Sequence, residues 1–510
     1  MTEQAAAGHP EITWRRLPLK MLVVAPATLL LKFVPALVVV LLLGGSESPV
    51  RVWITLGIAV AAVCAGLVRW RTTRYRITPD RVELHSGLVQ RKRLSVPRDR
   101  IRTVDLTSTF LHQTFGLSVV KVGTGQASAG RDDRGLNLDA VTAPEAERLR
   151  QELLAAARAE AAPADSAPRA RELDRLDWTS LRYAPLTVSS LAAIAALAGA
   201  VYNLLRDARV DPATLPGVSD AAGRLAAAPL WASVLVGAAV LLVVLVAGSL
   251  VLFTERWWNF RLTREPDGTL RVRRGLLTQR SLSVSERRLR GAAVAEPLLV
   301  RLVGRGAQAS ALSVGLRSSE GEKGGSGGAL QPPVPRGRAH DVAAAAMRSD
   351  DRVTDRTLHA HPRTALTRRL TRAVVPSLVP VAVAWWLDAL WDVSWLGPVS
   401  LVLPVLAVPL AIDRYRALGH RLDSRFLVSR QGSLLRATTA LQRDGVIGWR
   451  VRQSWFQRRA GVVTLDATTA AGQGAYTVLD VDPARAAEIV AEITPDTVAP
   501  FSGAIATGAR

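Results

Sequence analysis

Apolar residues in this chain are gathered into runs rather than spread. Six stretches, at 20–43, 50–68, 183–205, 229–253, 373–391 and 395–412, approach the roughly 20 residues that a helix needs to cross a hydrocarbon core, and they fall into three close pairs. Between the pairs the pattern becomes short and alternating. After the first pair, 74–78, 82–84, 91–96, 101–106 and 117–122 read as strands, broken by Pro79-Asp80, Ser86-Gly87 and Pro97. Leu136, Leu138 and Ala140 then alternate with polar neighbours as a half-buried strand does. A helix closes the segment, because Thr142 and Glu145 have capping-box spacing ahead of Ala146, Leu149 and Leu153. In the last segment Asp482-Pro483 opens a helix with Ala486, Ile489, Val490 and Ile493 on one face.

One 30-residue frame organises these segments. Gly87–Gly116 can be laid without a gap on Gly275–Gly304, 188 residues on, and on Gly432–Gly461, 345 residues on. A bulky apolar pair precedes the last glycine or lies near it each time: Phe110-Leu111, Leu298-Leu299 and Trp455-Phe456. The expected fold is membrane α plus β, with six transmembrane helices in three pairs, each followed by an antiparallel β domain with a C-terminal helix. Domains are expected at 71–160, 256–350 and 413–497, linkers at 161–182 and 351–372, a disordered insertion at 318–338 and a disordered tail at 498–510.

The order of an apolar helix pair, Arg-Tyr-Arg-Ile-Thr (74–78), Arg-Val-Glu-Leu (81–84), Gly-Leu-Val (87–89), Ser-Val-Pro (95–97), Arg-Ile-Arg-Thr-Val (100–104) and Phe-Gly-Leu (115–117) resembles the bacterial pleckstrin-homology-like family of YdbS/YdbT-type membrane proteins. The resemblance implies a curved antiparallel sheet capped by a helix, with no catalytic residues. It also implies a role in the cell envelope, such as resistance to membrane-active peptides, and a smaller PH-like membrane protein as partner. The second frame departs from the pattern, with Ser285 in place of the proline and a glycine-rich insertion.

Charge orients the spans. The six outer flanks of the pairs hold 22 lysines and arginines, and the three connections inside the pairs hold four. This asymmetry places both termini and all three domains in the cytoplasm, with the chain a multi-pass protein of the cytoplasmic membrane. The formal net charge of +22 hugs the membrane ends. No nucleic-acid motif accompanies it, so membrane lipids rather than nucleic acid are the expected partners. Arg91, Lys92, Arg93, Arg98 and Arg100 form the densest basic cluster, a candidate for anionic lipid or a protein partner.

Chemistry finds little to hold. The single cysteine, Cys64, lies in an apolar run, and His359 and His361 are too few for a zinc site, so neither metal nor cofactor is expected. No nucleophile elbow or phosphate loop is present, and the reading is a non-enzymatic scaffold or adaptor. Lys32 stands near mid-membrane, three residues before Pro35, where an ammonium group needs carbonyls, an acid or water. Asp388, near the outer end of the fifth span, is its nearest acid by depth. Lys32 and the five prolines of the last pair motivate the rival reading, a transporter or channel.

Overall fold

The computed structural model describes residues 14–28 and 57–123 with short breaks, 136–155, 170–187, and nearly all of 227–495 apart from 315–327 and 392–393. The chain divides into two compact units, Met1–Ser285 and Glu286–Arg510. The second frame is therefore shared between them.

In the first unit, β1 (Arg15–Arg16), β2 (Arg74–Ile77), β3 (Arg81–Ser86) and β4 (Lys92–Pro97) form one antiparallel sheet in that order. A second sheet begins with β5 (Thr103–Ser108), passes through the short helix α1 (Phe110–Thr114) to β6 (Leu117–Gly123) and β7 (Leu136–Thr142), and is followed by α2 (Ala143–Ala155). Period-two alternation sends one face of each strand inward. Val82, Val104, Val120, Leu138, Leu149 and Leu153 meet in a core where none is more than 1% exposed. The second sheet does not stop at β5. It continues into β8 (Arg171–Arg175), α3 (Leu230–Trp257), β9 (Arg261–Arg264), β10 (Thr269–Arg274) and β11 (Gln279–Ser285), with strand order β7-β6-β5-β11-β10-β9-β8.

The second unit repeats this scheme. β12 (Leu289–Pro297), α4 (Leu298–Gly304), β13 (Gly306–Ser313), β14 (Val334–Pro335) and α5 (Arg336–Ala346) precede the membrane helices α6 (Arg363–Trp391), α7 (Leu396–Ser400) and α8 (Val402–Arg416). Then come β15 (Gly419–Leu422), β16 (Phe426–Gln431), β17 (Leu435–Gln442), β18 (Gly448–Arg452), α9 (Trp455–Arg459), β19 (Val463–Thr468), β20 (Ala475–Val481) and α10 (Pro483–Ile493). One sheet runs β14-β13-β12-β17-β16-β15 and the other β18-β19-β20. Leu427, Leu441, Leu465, Val478 and Ile489 fill the core between β16, β17, β19, β20 and α10. Asp482 caps α10, accepting from the Ala484 N–H at 2.9 Å, with Pro483 in the first turn as its sequence demands.

The frame's glycines are explained by backbone geometry. Gly87, Gly275 and Gly432 have φ of +96°, +111° and +99°. A Cβ at Gly275 or Gly432 would stand 2.0 Å from the carbonyl oxygen of Thr278 or Leu435. The closing glycines Gly116 and Gly461 are also left-handed, but in the second frame that conformation falls on Arg305, one residue after Gly304.

Among the described residues, three helices are long and apolar enough to cross a membrane: Leu230–Trp257, Arg363–Trp391 and Leu396–Arg416. The expected spans 20–43, 50–68 and 183–205 lie largely outside the described residues, as do Lys32 and the tail 498–510. The expected linkers 161–182 and 351–372 carry pairing of their own: β8 pairs with β9, and His359 bridges His420 on β15, so the segment before a helix pair adds to the sheet edge that follows it. One expectation is corrected. Within 318–338, residues 331–338 do not form a mobile loop. Leu330, Gln331 and Val334 are at most 1% exposed, β14 pairs with β13, and Pro335 stands at the start of α5, where a missing N–H costs nothing.

Candidate functional site

The membrane helices enter the second unit through a set of buried charges. Asp480, fully buried on β20 with φ +53°, holds Arg368 and Arg369 of α6; Arg369 Nη2 lies 2.5 Å from its Oδ2. Gln457 Nε2 donates to the same carboxylate at 3.0 Å. On the other helix of the pair, Asp413 of α8 accepts from Arg301 at 2.7 Å, Ser433 at 2.8 Å and Arg436 at 3.1 Å. One acid in the domain thus grips α6, and one acid on α8 grips the domain. The Asp480 pairs are buried and fix geometry, because removing one partner leaves an uncompensated charge, whereas Asp413 is part-exposed.

Beside this anchorage lies a cavity of about 400 Å³, lined by Arg369, Arg372 and Arg414 of the two helices together with Leu410, Ser433 and Leu434. Arg372 and Arg414 are exposed and have no ion-pair partner among the described residues. Arg369 Nε makes no hydrogen bond there either. Leu434, 68% exposed, forms an apolar lip. The cavity is therefore cationic, open on one side and bordered by the apolar surface of a membrane helix. It suits a phosphate or carboxylate carried on an apolar tail.

A histidine cluster completes the foot of the pair. His361 Nδ1 donates to the Asp480 carbonyl at 3.1 Å, so its Nε2 accepts from His420 Nδ1 at 3.2 Å. Burial, with Arg369 nearby, pushes His361 down to about 4, and burial with His361 and His359 alongside pushes His420 down to about 3. Both are held as neutral imidazoles. No group of three or more potential ligands able to hold a metal occurs among the described residues.

The basic cluster expected near 91–100 is dispersed. Arg93 is exposed on β4, while Arg91, Arg100 and the Lys92 side chain lie outside the described residues. Arg98 faces inward: Nη2 donates to the Glu152 carbonyl at 2.9 Å and to its carboxylate at 3.2 Å, tying the strand turn to α2. At the same frame position Arg443 donates to the Glu492 carbonyl at 2.5 Å, and Glu286 pairs with Arg348 at 2.5 Å with the charges exchanged. Comparing positions 98, 286 and 443 in the sequence would have exposed this staple. Asp388 also has a structural task, accepting from the Leu396 N–H at 3.2 Å and the Gly397 N–H at 2.7 Å, so it caps the turn into α7. The tryptophans divide too. Trp258 and Trp178 are part-exposed and in contact, but Trp257 is buried under Arg274, whose guanidinium sits 4.3 Å from its ring.

Membrane helices rooted in antiparallel half-sheets, each domain closed by a helix, define a membrane-associated protein of the PH-like class. The family profile of the bacterial PH domain matches residues 25–157 and 372–495, together just over half of the chain. The chain belongs to the bacterial PH domain family. It is 30% identical over 89 residues to the UPF0699 transmembrane protein YdbT of Bacillus subtilis (strain 168), a stretch covering 18% of this chain and 17% of that protein. No solved structure matches.

Proposed function

We propose that this protein is a non-enzymatic scaffold of the cytoplasmic membrane, in which six spans in three pairs hold three copies of one PH-like unit against the inner leaflet. The family profile falls on the first and third frames, and the left-handed opening glycines and the 98/286/443 staple support the second as a further copy. Anionic lipid headgroups are the proposed ligand and protein adaptors the proposed clients, in maintenance of the cell envelope. The observation that carries the lipid reading is the cavity with Arg369, Arg372 and Arg414 at the foot of a membrane helix pair. Juxtamembrane basic residues each contribute about 1 kcal/mol of attraction to an anionic leaflet.

The test is lipid retention by the full chain. Purified from mixed phospholipid into detergent, the protein should retain phosphatidylglycerol over phosphatidylcholine in native mass spectra. Arg372→Gln with Arg414→Gln should lower that preference about tenfold or more while thermal stability holds, since neither side chain has an ion pair to lose among the described residues. Competition by inorganic phosphate alone would identify a free anion as the ligand. Equal retention by the parent and the double variant would remove lipid recognition from this site.

A further inference from the structure

The two places where sheets pass from one frame to the next have the same register. In the first, Ser108 lies opposite Gln279 and Thr103 opposite Val284; in the second, Glu296 lies opposite Arg436 and Gly291 opposite Leu441. Moving each strand to the same position of the next frame, 188 residues on for the donor and 157 for the acceptor, turns one set of pairs into the other. The short helix after the donor strand joins in both cases. Gln113 of α1 donates to the Leu277 carbonyl at 3.0 Å, and the Leu298 N–H of α4 donates to the Leu434 carbonyl at 2.8 Å. Three frames joined in series leave one acceptor strand and one donor strand over. β4 is the end of its sheet, and β18 is the end of its own.

We infer that β18 of one chain pairs antiparallel with β4 of a second copy of this chain, so that the joint within the chain also links chains head to tail. The inference rests on reading the frames as copies of one unit. Continuity with the two internal joints carries it. The shared register places Gly448 opposite Val96, Trp449 opposite Ser95, Arg450 opposite Leu94 and Val451 opposite Arg93. The free strands have the required extent: the acceptor run in both joints ends at the position equivalent to Val96, so Pro97, which has no N–H to give, falls one residue beyond it.

The donor end also exposes an apolar side chain that both internal joints cover: Val451 is 59% exposed, whereas Leu106 and Val294 at the same frame position are 9% and 0% exposed. Both free edges carry arginine, a common guard against unwanted pairing. Here Arg450 and Arg452 are turned onto the buried Asp466, at 3.1 and 2.7 Å. The joint then depends on backbone hydrogen bonds and apolar contact, as it does within the chain. A heterologous joint of this type closes into a ring or runs as a filament in the membrane plane.

The experiment uses two differently tagged full-length chains in a Cys64→Ser background, one carrying Arg93→Cys and the other Val451→Cys, oxidised in native membranes. A covalent dimer bearing both tags is expected. Replacing Val451→Cys by Arg450→Cys, which puts the thiol on the opposite face of the strand, should reduce it at least tenfold. Absence of the mixed dimer with both chains at normal abundance would overturn the inference. So would equal yields from positions 450 and 451, or a crosslink from Val451→Cys to a smaller protein in place of the second chain. Lipid retention by the same variants is read separately, so failure of this joint leaves the lipid site standing or falling on its own result.

Discussion

Where β5 meets β11, Asp105 is half-buried beside Lys121, Arg274 and Arg280, and its Oδ1 is buried without a hydrogen bond. Above it, Glu147 of α2 reaches across to Arg271 of β10 at 2.8 and 3.0 Å while also holding Arg150 at 2.8 Å. Where β12 meets β17 the backbone register is the same, but the chemistry is different. Alanines 292, 293 and 295 face Ala440, Thr439 and Ala437, and Glu296 shares Arg336 and Arg436 with other acids. The comparison teaches that backbone pairing and the inward apolar pattern set the joint, and that each joint then compensates its buried charge in its own way. The first relies mainly on Glu147, since Arg271 has besides it only Glu265 at 4.0 Å. The second distributes its charge over a network, because Arg336 also reaches Asp355 at 2.9 Å and Arg436 also reaches Asp413 at 3.1 Å.

The largest expected effect breaks the first joint. Glu147→Ala leaves Arg150, whose side chain is 3% exposed, without its carboxylate and Arg271 with only Glu265, at 4.0 Å. Loss of a buried partner costs about 3–5 kcal/mol, and because Glu147 is itself about one-third exposed the expected loss is nearer ~2–3 kcal/mol. Hydrogen exchange at β10 and β11 should accelerate accordingly, and unchanged protection there would refute the single-acid account.

Acid should separate the two units. Burial raises the Asp105 carboxyl above its ordinary range even with Lys121, Arg280 and Arg274 close by. Its contribution to stability is therefore full below the unfolded value and is lost as pH rises through the folded one. His361 and His420 act in the opposite sense. Their folded values of about 4 and about 3 lie below 6.5, so their contribution is present above 6.5 and is lost as pH falls towards the folded values. Each can remove up to about 1.4 kcal/mol per pH unit within that window. Exchange corrected for intrinsic rates should show β15 losing protection between pH 7 and 5, with β5 holding or gaining. His420→Gln should flatten the β15 response. Parallel loss in both strands would contradict the assignment.

The smallest effect is expected at the second joint. Glu296→Gln keeps the shape of the side chain, and both arginines retain another acid, so stability should change by about 1 kcal/mol or less. A loss as large as that of Glu147→Ala, measured by chemical denaturation of the full chain in detergent, would mean that the two joints are equally dependent on one carboxylate.

Much of this architecture is legible in the sequence because it depends on local pattern. Apolar length marked Leu230–Trp257 and the two helices of the last pair, and period-two alternation marked the strands from β2 to β6 within two residues at each end. Glycine spacing fixed the frame, since a turn with φ near +100° excludes a Cβ wherever it recurs. Asp482-Pro483 started its helix for reasons contained in those two residues. What only the tertiary structure decided involves partners distant in the chain. Arg98 looked like part of a lipid-facing cluster because spacing along a chain does not say which face a side chain takes; Glu152, 54 residues later, draws it inward. Gln331-Pro-Pro-Val-Pro had the composition of a mobile loop, but β13 offers its edge to it, and an edge strand needs few N–H donors. His420 joins His361 across 59 residues. The passage of sheets between frames leaves no local signature, because a strand that pairs within its own domain and one that pairs with the next have the same alternation. Register between distant strands is set by which apolar faces can be buried together, and that is a property of the folded chain.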